Sequence, residues 1–482
     1  MRSVQRASIS MALAAAIVFG VTAAVAASVQ SRTVDRARVP AADWTTYHHD
    51  VLRTGDGSIK GAFTSRKVRL DWRLPTSGPS DKNDQMYASP LIVGDTAYVT
   101  TLQNRVYAIS TVTGKTIWTR RLGEGYTQPG GVCGDIGPRV GIVSTPVIDE
   151  GRGELFVVAD IGTGKRETNP VHRIFGLSLA TGRTLLARGV DPPGQQVIYL
   201  LQRASLAISK GMVIIGFGGN YGDCGNYHGW VVSVPESGSG RIDRYEVASR
   251  PGQGRGAVWM GGGAPSVNSA GDVFVADGNG NATSSSDAYD YSDAVLKLTP
   301  TMHLIDFFAP TTWPTDNGSD LDLGSGAPQL LSDGQLLQVG KTELGYVLNQ
   351  SHLGHINGAV HTFPVCSGLG SADGGDALVG SLVVVPCDGG LDAVHVFTKS
   401  PYGAGVWTQS AVSGPPVYAA GIVWAIAGSG GGSTLYGINP ATGAVRLRFG
   451  FGAEQNHFAT PAVGDNMVFV ASTTRLLGFA PN

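Results

Sequence analysis

Apolar and polar residues alternate in short runs along this chain, and the clearest example lies in residues 88–118. That stretch, ASPLIVGDTAYVTTLQNRVYAISTVTGKTIW, holds four apolar runs separated by short polar turns that include GD and TG. Alternation with a period of two predicts half-buried strands, and tight turns between such strands predict antiparallel pairing. The stretch therefore predicts one small four-stranded antiparallel sheet.

Related units recur along the rest of the chain at intervals of roughly 40 to 60 residues. Five further clear units lie at 144–182, 263–298, 326–349, 414–447 and 459–481, and two weaker ones centre on 212–219 and 381–390. A four-stranded sheet with two apolar faces needs a neighbour on each face, so a repeat of this length is typical of the blades of a ring. The sequence predicts an all-β, eight-bladed β-propeller over residues 43–482.

Closure of the ring calls for one more strand. The last unit lacks the outer strand that bears a Trp in the first unit, whereas residues 67–74, KVRLDWRL, form such a strand ahead of every unit. An unpaired strand edge favours unwanted pairing with other chains. We therefore expect the N-terminal strand to complete the last blade.

Composition agrees with this fold and narrows the possible partners. The 69 glycines among 482 residues fit a turn-rich chain, and only 15% of the residues are charged. The formal net charge is −2 and no basic stripe is present, which argues against binding to nucleic acid.

The N-terminus has the pattern of a signal peptide over residues 1–26. Arg2 and Arg6 precede an apolar run at 11–27, and Ala24-Val25-Ala26 offers a cleavage site between small residues. A flexible leader at 27–42 follows. The pattern predicts a secreted or cell-envelope (periplasmic) protein with no stable membrane span after cleavage; an uncleaved anchor is the alternative.

Four cysteines in an exported chain suggest disulfide bonds. We expect a Cys366–Cys387 bond, because these residues bracket one short loop whose closure would contribute roughly 3 kcal/mol. Cys133 and Cys224 then form either a second bond or two free thiols. The chain contains no CxxC pair that would point to a zinc site.

The units resemble the pyrroloquinoline quinone (PQQ) type repeat. That repeat is shared by quinoprotein alcohol dehydrogenases and by the non-catalytic propellers of outer-membrane assembly lipoproteins. The resemblance extends over nearly all of residues 43–480. It implies the propeller fold, but it leaves the activity open because one scaffold carries both kinds of function.

Three stretches are similar to the dehydrogenases in more detail. VCGDIGPRVG at 132–141 aligns Arg139 with an arginine that binds the quinone, although Gly134 replaces the second of two adjacent cysteines. VWMGGGAPSVNSAGDVFVADGNGN at 258–281 aligns Trp259 with the Trp beneath the quinone and Asn279 with a calcium ligand. Lys341, in VGKTELGYVLN, aligns with a lysine that contacts the quinone oxygens.

The acidic residues of the family match less clearly. In WPTDNGSDLDLGSGAPQLL at 313–331, Asp316 best fits the catalytic base beside the calcium, and Asp320 and Asp322 are close competitors. The family's calcium-binding Glu is missing from 216–234, where Asp223 is the nearest carboxylate. The resemblance thus implies Asn279, Asp316 and Asp223 as metal ligands. Each of these residues also fits a purely structural role in a loop, a turn or a blade core.

Two functional hypotheses follow. The first is an oxidoreductase that oxidises a small alcohol or sugar with PQQ and calcium in the central channel, with Asp316 as base. Because the chain lacks a CxxCH haem motif, its electrons would pass to a separate acceptor. The second is a non-catalytic propeller that binds a protein, a glycan or a small ligand.

Overall fold

Eight antiparallel sheets, one for each predicted unit, make up the part of the chain that the computed structural model describes. The described residues are 43–76, 84–137, 139–426, 433–452 and 456–482. The sheets are the blades of a β-propeller, which confirms the predicted architecture. The predicted signal peptide and leader lie outside the described residues.

In each blade the strands follow one another in order from the axis outwards. Blade 1 has Leu91–Val93, Thr96–Thr100, Arg105–Ser110 and Thr116–Arg121; blade 2 has Val147–Asp149, Glu154–Thr163, Asn169–Ser178 and Thr184–Gly189. Blade 3 has Ala207–Ser209, Met212–Gly219, Trp230–Pro235 and Asp243–Glu246, with Leu200–Leu201 added to its second strand. Blade 4 has Ser266–Val267, Val273–Ala276, Val295–Leu298 and Leu304–Ala309, with His355–Ile356 added outside.

The second half of the ring follows the same plan. Blade 5 has Gln329–Leu330, Gln335–Val339, Leu344–Asn349 and His361–Pro364; blade 6 has Ala377–Val379, Leu382–Cys387, Gly390–Val396 and Gly403–Gln409. Blade 7 has Val417–Ala419, Ile422–Ile426, Thr434–Ile438 and Val445–Gly450, with Asp56–Gly57 added inside. Blade 8 has Ala462–Gly464, Met467–Ala471, Arg475–Phe479 and, outermost, Val68–Arg73.

Contacts between neighbouring blades explain the Trp and the TG turn of the repeat. The indole of Trp118, on the outer strand of blade 1, donates a hydrogen bond to the Leu179 carbonyl in blade 2 at 2.8 Å. A Cβ on Gly182 of that turn would lie 2.5 Å from the Trp118 ring, so only glycine fits there. Trp407 makes the same bond, to the Pro440 carbonyl, at 2.7 Å.

The N-terminal strand closes the ring as predicted. Val68–Arg73 pairs antiparallel with Arg475–Phe479, and Leu70 and Trp72 are buried. The Trp72 indole donates to the Thr116 hydroxyl of blade 1 at 3.1 Å, which repeats the contact between blades across the closure. The outer edge of the last blade is therefore covered by the chain's own beginning.

Residues 44–57, here called the axial segment, run past the innermost strand of every blade in turn. Trp44 pairs with Ile92 of blade 1, and the Gly55 carbonyl accepts the Tyr418 amide of blade 7 at 2.7 Å. Between them, segment groups bond to Ile148, Leu206, Val267, Gln329 and Leu378 of blades 2 to 6. Gly57 packs against Val463 of blade 8. The segment thus fills the axis of the ring at one level.

Two disulfide bonds are present. Cys366–Cys387 confirms the predicted pair, and Cys133–Cys224 shows that the other two cysteines are also bonded. In the part of the chain that the structure describes, the single α-helix is Trp313–Ser319, beside 3-10 turns at Lys165–Glu167, Val197–Tyr199, Met260–Gly262 and Leu323–Ser325. No helix of the described residues is both long and apolar enough to cross a membrane.

Candidate functional site

Five of the residues singled out in the sequence, Asp320 among them, meet at one end of the ring. Asn279 follows the second strand of blade 4, and Lys341 follows the second strand of blade 5. Trp259 lies in the connection from blade 3 to blade 4, and Asp322 in the connection from blade 4 to blade 5. Such connections all leave the ring at the same end, which we call the site end.

Lys341 joins the acidic groups of this cluster. Its Nζ lies 2.7 Å from Oδ2 of Asp322 and 3.1 Å from Oδ1 of Asp320. The Asn279 backbone N–H donates to Oδ1 of Asp322, and its side-chain Nδ2 donates to Oδ1 of Asp320, both at 2.8 Å. Asp322 is thus held by a cation on one oxygen and by a backbone amide on the other.

An aromatic surface lies beside this ion pair. Lys341 Nζ is 5.8 Å from the centroid of the half-buried Trp259 ring, within the range of a cation–π contact. Phe458, from the connection between blades 7 and 8, lies 6.1 Å from Trp259, centroid to centroid. A flat aromatic ligand could lie on such a surface with a positive charge close to its edge.

The two charged partners shift each other's protonation. Burial raises the pKa of the Asp322 carboxyl, while Lys341 and the Asn279 amide lower it, and the net pKa is raised. Burial alone would lower the pKa of Lys341, but the carboxylates of Asp322 and Asp320 outweigh it and raise that pKa overall. Lys341 therefore stays charged at neutral pH.

Further carboxyl groups lie behind the ion pair. Burial raises the pKa of Asp277 and of Asp293 well above the usual value, with neighbouring carboxylates adding to the effect. Burial and the nearby Asp388 raise the pKa of Asp373 to about 8. Asp373 can therefore hold a proton at neutral pH, and Lys341 is the only described lysine of this cluster.

The Asp316 side chain makes its hydrogen bond outside the cluster around Lys341. It lies in the helix Trp313–Ser319, where its Oδ2 accepts the Thr312 hydroxyl at 2.6 Å, and burial raises its pKa. Among the described residues it has no hydrogen bond to Asn279 or Lys341. The neighbours that competed with it in the sequence, Asp320 and Asp322, are the carboxylates that reach Lys341.

Arg139 and Asp223 also have partners of their own. Arg139 Nη1 donates to the Gly125 carbonyl at 2.8 Å and lies 3.4 Å from Oε2 of Glu167. Asp223 accepts the Tyr227 hydroxyl at 2.6 Å. Their predicted roles stay predictions, but neither side chain needs a ligand to satisfy it.

Each predicted calcium ligand has a hydrogen bond to a residue outside the predicted set, and their joint role stays a prediction. Asp223, Asn279 and Asp316 bond to Tyr227, Asp320 and Thr312 respectively. Within the described ranges, no group of three His, Cys, Asp or Glu side chains is arranged to hold a metal ion. Asn279 Oδ1 is buried without a partner there, but the adjacent Asp322 carboxylate is already neutralised by Lys341.

Sequence reasoning missed Arg203, Tyr227 and Asp373. Arg203 lies just before blade 3 in a run, LLQRASLAI, that reads as an ordinary strand. Tyr227 lies in a glycine-rich loop that matches no motif. Asp373 lies far along the chain from Lys341, so the sequence does not show that the two residues are close in space. For Arg203 and Asp373, the sequence carries no signal that would have found them.

A polar cavity of about 760 Å³ opens at the opposite end of the ring. It lies against the turns of blades 4, 5 and 6, and its lining includes Asn268, Asp272, Gln335, Asn349 and Tyr402. None of the predicted site residues lines it. Its lining offers amides, carboxylates and one phenol ring as hydrogen-bonding groups.

The eight blades and the closing N-terminal strand define a propeller of the PQQ-repeat class. The chain belongs to the family whose model is described as outer membrane protein assembly factor BamB, which matches residues 31–295. No curated protein matches the chain significantly.

Solved structures share the fold at low sequence identity. The quinohemoprotein alcohol dehydrogenase from Comamonas testosteroni is 16% identical with a TM-score of 0.67, over 92% of this chain and 81% of the other. A europium-containing methanol dehydrogenase is 14% identical with a TM-score of 0.64, over 90% and 91%. BamB from Moraxella catarrhalis is 12% identical with a TM-score of 0.51, over 81% and 93%.

Proposed function

We propose that this protein is an exported quinoprotein-like oxidoreductase that oxidises a small alcohol or sugar with PQQ bound at the site end. The observation that carries the proposal is the meeting of Trp259, Lys341, Asn279 and Asp322, which come from four different connections of the ring. The likeness in fold to quinoprotein dehydrogenases supports the same reading. The two disulfides fit an oxidising compartment.

The residues fit a flat, negatively charged quinone. Trp259 would lie against its ring, and Lys341 would stand at its edge. When bound, PQQ supplies a two-electron acceptor for the substrate. Because each predicted calcium ligand is hydrogen-bonded to another residue of the chain, we derive no step through a calcium ion.

Asp322 is the base that we propose in place of Asp316. Its carboxyl group is paired with Lys341, and it lies at the edge of the aromatic surface. A general base within hydrogen-bond distance of the substrate hydroxyl can accept its proton. Lys341 holds that carboxylate in its orientation, and Asp373, which can hold a proton near neutral pH, is a candidate to pass the proton on.

Binding of PQQ to the purified protein tests the proposal. We expect equilibrium dialysis to show bound PQQ at micromolar concentration, and Trp259→Ala to weaken the binding at least about tenfold, which is 1.4 kcal/mol. Trp407→Ala, on the outside of blade 6, is the matched control and should bind PQQ like the wild type.

Dye-linked oxidation of a panel of alcohols and sugars tests the chemistry. Asp322→Asn should remove turnover while PQQ still binds, and Asp316→Asn should keep most of the turnover. The opposite result would return the role of base to Asp316. If the wild-type protein does not bind PQQ, the proposed oxidoreductase function is refuted.

A second function has its own observation in support. The polar cavity at the opposite end could hold a glycan or another small ligand, in a non-catalytic propeller related to BamB. Oligosaccharide binding measured by calorimetry, lost in Asn268→Ala and unaffected in Trp259→Ala, would support this alternative. Turnover at the site end would argue against it as the main function.

A further inference from the structure

Arg203 is a buried cation for which the described residues supply no acidic partner. Only 7% of the residue is exposed, and no described Asp or Glu oxygen lies within ion-pair distance of its guanidinium. Its one hydrogen bond among these residues goes from Nη2 to the His457 carbonyl at 3.2 Å. The other deeply buried arginine, Arg53, in contrast makes five such bonds.

Aromatic rings hold this guanidinium at the site end. Its central carbon lies 5.7 Å from the Tyr87 ring centroid and 5.8 Å from that of Phe458, the ring that also neighbours Trp259. Such contacts stabilise a cation in part, but they do not neutralise it.

The guanidinium also packs on the turn that presents Trp259. The Gly262 amide donates to the Trp259 carbonyl at 2.9 Å, and Gly262 has a φ of +80°. A Cβ at this position would lie 2.1 Å from Nη1 of Arg203, so glycine is required for the approach. Lys341 approaches the Trp259 ring as well, so two cations border the same aromatic surface.

Burying a charge is costly, and burial accordingly lowers the pKa of Arg203, although Tyr87, Tyr47 and the more distant Asp135 offset this lowering in part. A carboxylate brought by a ligand would offset that cost and could accept two parallel hydrogen bonds from the guanidinium. Arg139, the arginine singled out by sequence, already has the Gly125 carbonyl and Glu167 as partners.

We propose that Arg203 is the carboxylate-binding residue of the site, which takes an aromatic polycarboxylate lying between Arg203 and Lys341 on Trp259. This inference rests on the proposed function insofar as it names PQQ, which carries three carboxyl groups, as that ligand. It assigns to Arg203 the role that the sequence suggested for Arg139.

Binding to two probes tests it, namely PQQ and benzene-1,3,5-tricarboxylate, each measured by equilibrium dialysis. We expect Arg203→Gln to weaken binding of the PQQ probe at least tenfold and Arg203→Lys to weaken it less. The matched control Arg139→Gln should change it less than twofold. A structural role for Arg203 is checked by urea unfolding without ligand, where Arg203→Gln should have a midpoint no lower than the wild type because it removes an unpaired charge.

The outcomes separate the two proposals. If wild type and Arg203→Gln bind PQQ equally, the role of Arg203 is refuted and the proposed function stands. If the wild type binds only the benzene probe and loses it in Arg203→Gln, the anion site stands and PQQ is refuted as its ligand. If the wild type binds neither probe, or if Arg203→Gln unfolds at lower urea, the inference is overturned.

Discussion

Removing the cation from the pair of Lys341 and Asp322 should destabilise the fold even in the absence of any ligand. The change is Lys341→Met, which keeps most of the apolar stem. The side chains of Lys341 and Asp322 are 19% and 10% exposed. Loss of one partner of a buried pair costs about 3–5 kcal/mol. Asp320 adds little because it is 73% exposed, and Asp322 keeps its bond from the Asn279 amide. We therefore expect the lower end, about 3 kcal/mol.

Urea unfolding at two pH values measures this loss. Without Lys341, the folded-state pKa of Asp322 rises further above its unfolded value, so stability falls as the pH rises towards that folded pKa. The deficit of Lys341→Met relative to wild type should therefore be larger at pH 8 than at pH 5.

The double variant Lys341→Met/Asp322→Asn is the control, because it removes the unpaired charge as well. It should recover most of the lost stability at pH 8. A deficit below about 0.5 kcal/mol at pH 8, the size typical of a surface substitution, would show that the pair is not a buried ion pair. A deficit that does not shrink at pH 5 would contradict the role given to Asp322.

Three further predictions concern the ring and the site. Leu70→Ala, at a residue 1% exposed in the closing strand, should cost about 2–4 kcal/mol in urea unfolding, whereas the exposed Arg73→Ala should stay close to wild type. The double variant Cys366→Ser/Cys387→Ser should lose about 3 kcal/mol of unfolding free energy, since it opens a loop spanning 21 residues; a loss below 1 kcal/mol would contradict the loop-closure argument. Wild-type PQQ binding should survive EDTA, and a loss of binding that added calcium restores would show that the chain does have a calcium site.

The propeller could be predicted because its determinants are local. The alternation in TAYVTT and RVYAIS, the GD and TG turns and the outer-strand Trp118 each recur with the blade. Even the ring closure was visible, since KVRLDWRL has the pattern of an outer strand placed ahead of the first unit. These features can be recognised from the periodic sequence pattern, because each depends on residues within the same blade or the next one.

The site could be predicted only in part, because its contacts join distant parts of the chain. Trp259, Asn279 and Lys341 follow the family order, and the structure brings them together. Choosing among Asp316, Asp320 and Asp322 needed the local backbone, which folds the first into a helix and leaves the others facing Lys341. Arg203 could not be found at all, since its significance depends on which charges are absent around it.

The axial segment has a consequence for the order in which the protein can fold. Residues 44–57 leave the ribosome ahead of every blade, yet their partners include Tyr418 and Val463, near the end of the chain. Contacts between residues so far apart in sequence are slow to form. The contacts of the segment with blades 7 and 8 must therefore wait until those blades have been made, so the packing along the axis is completed only at the final step.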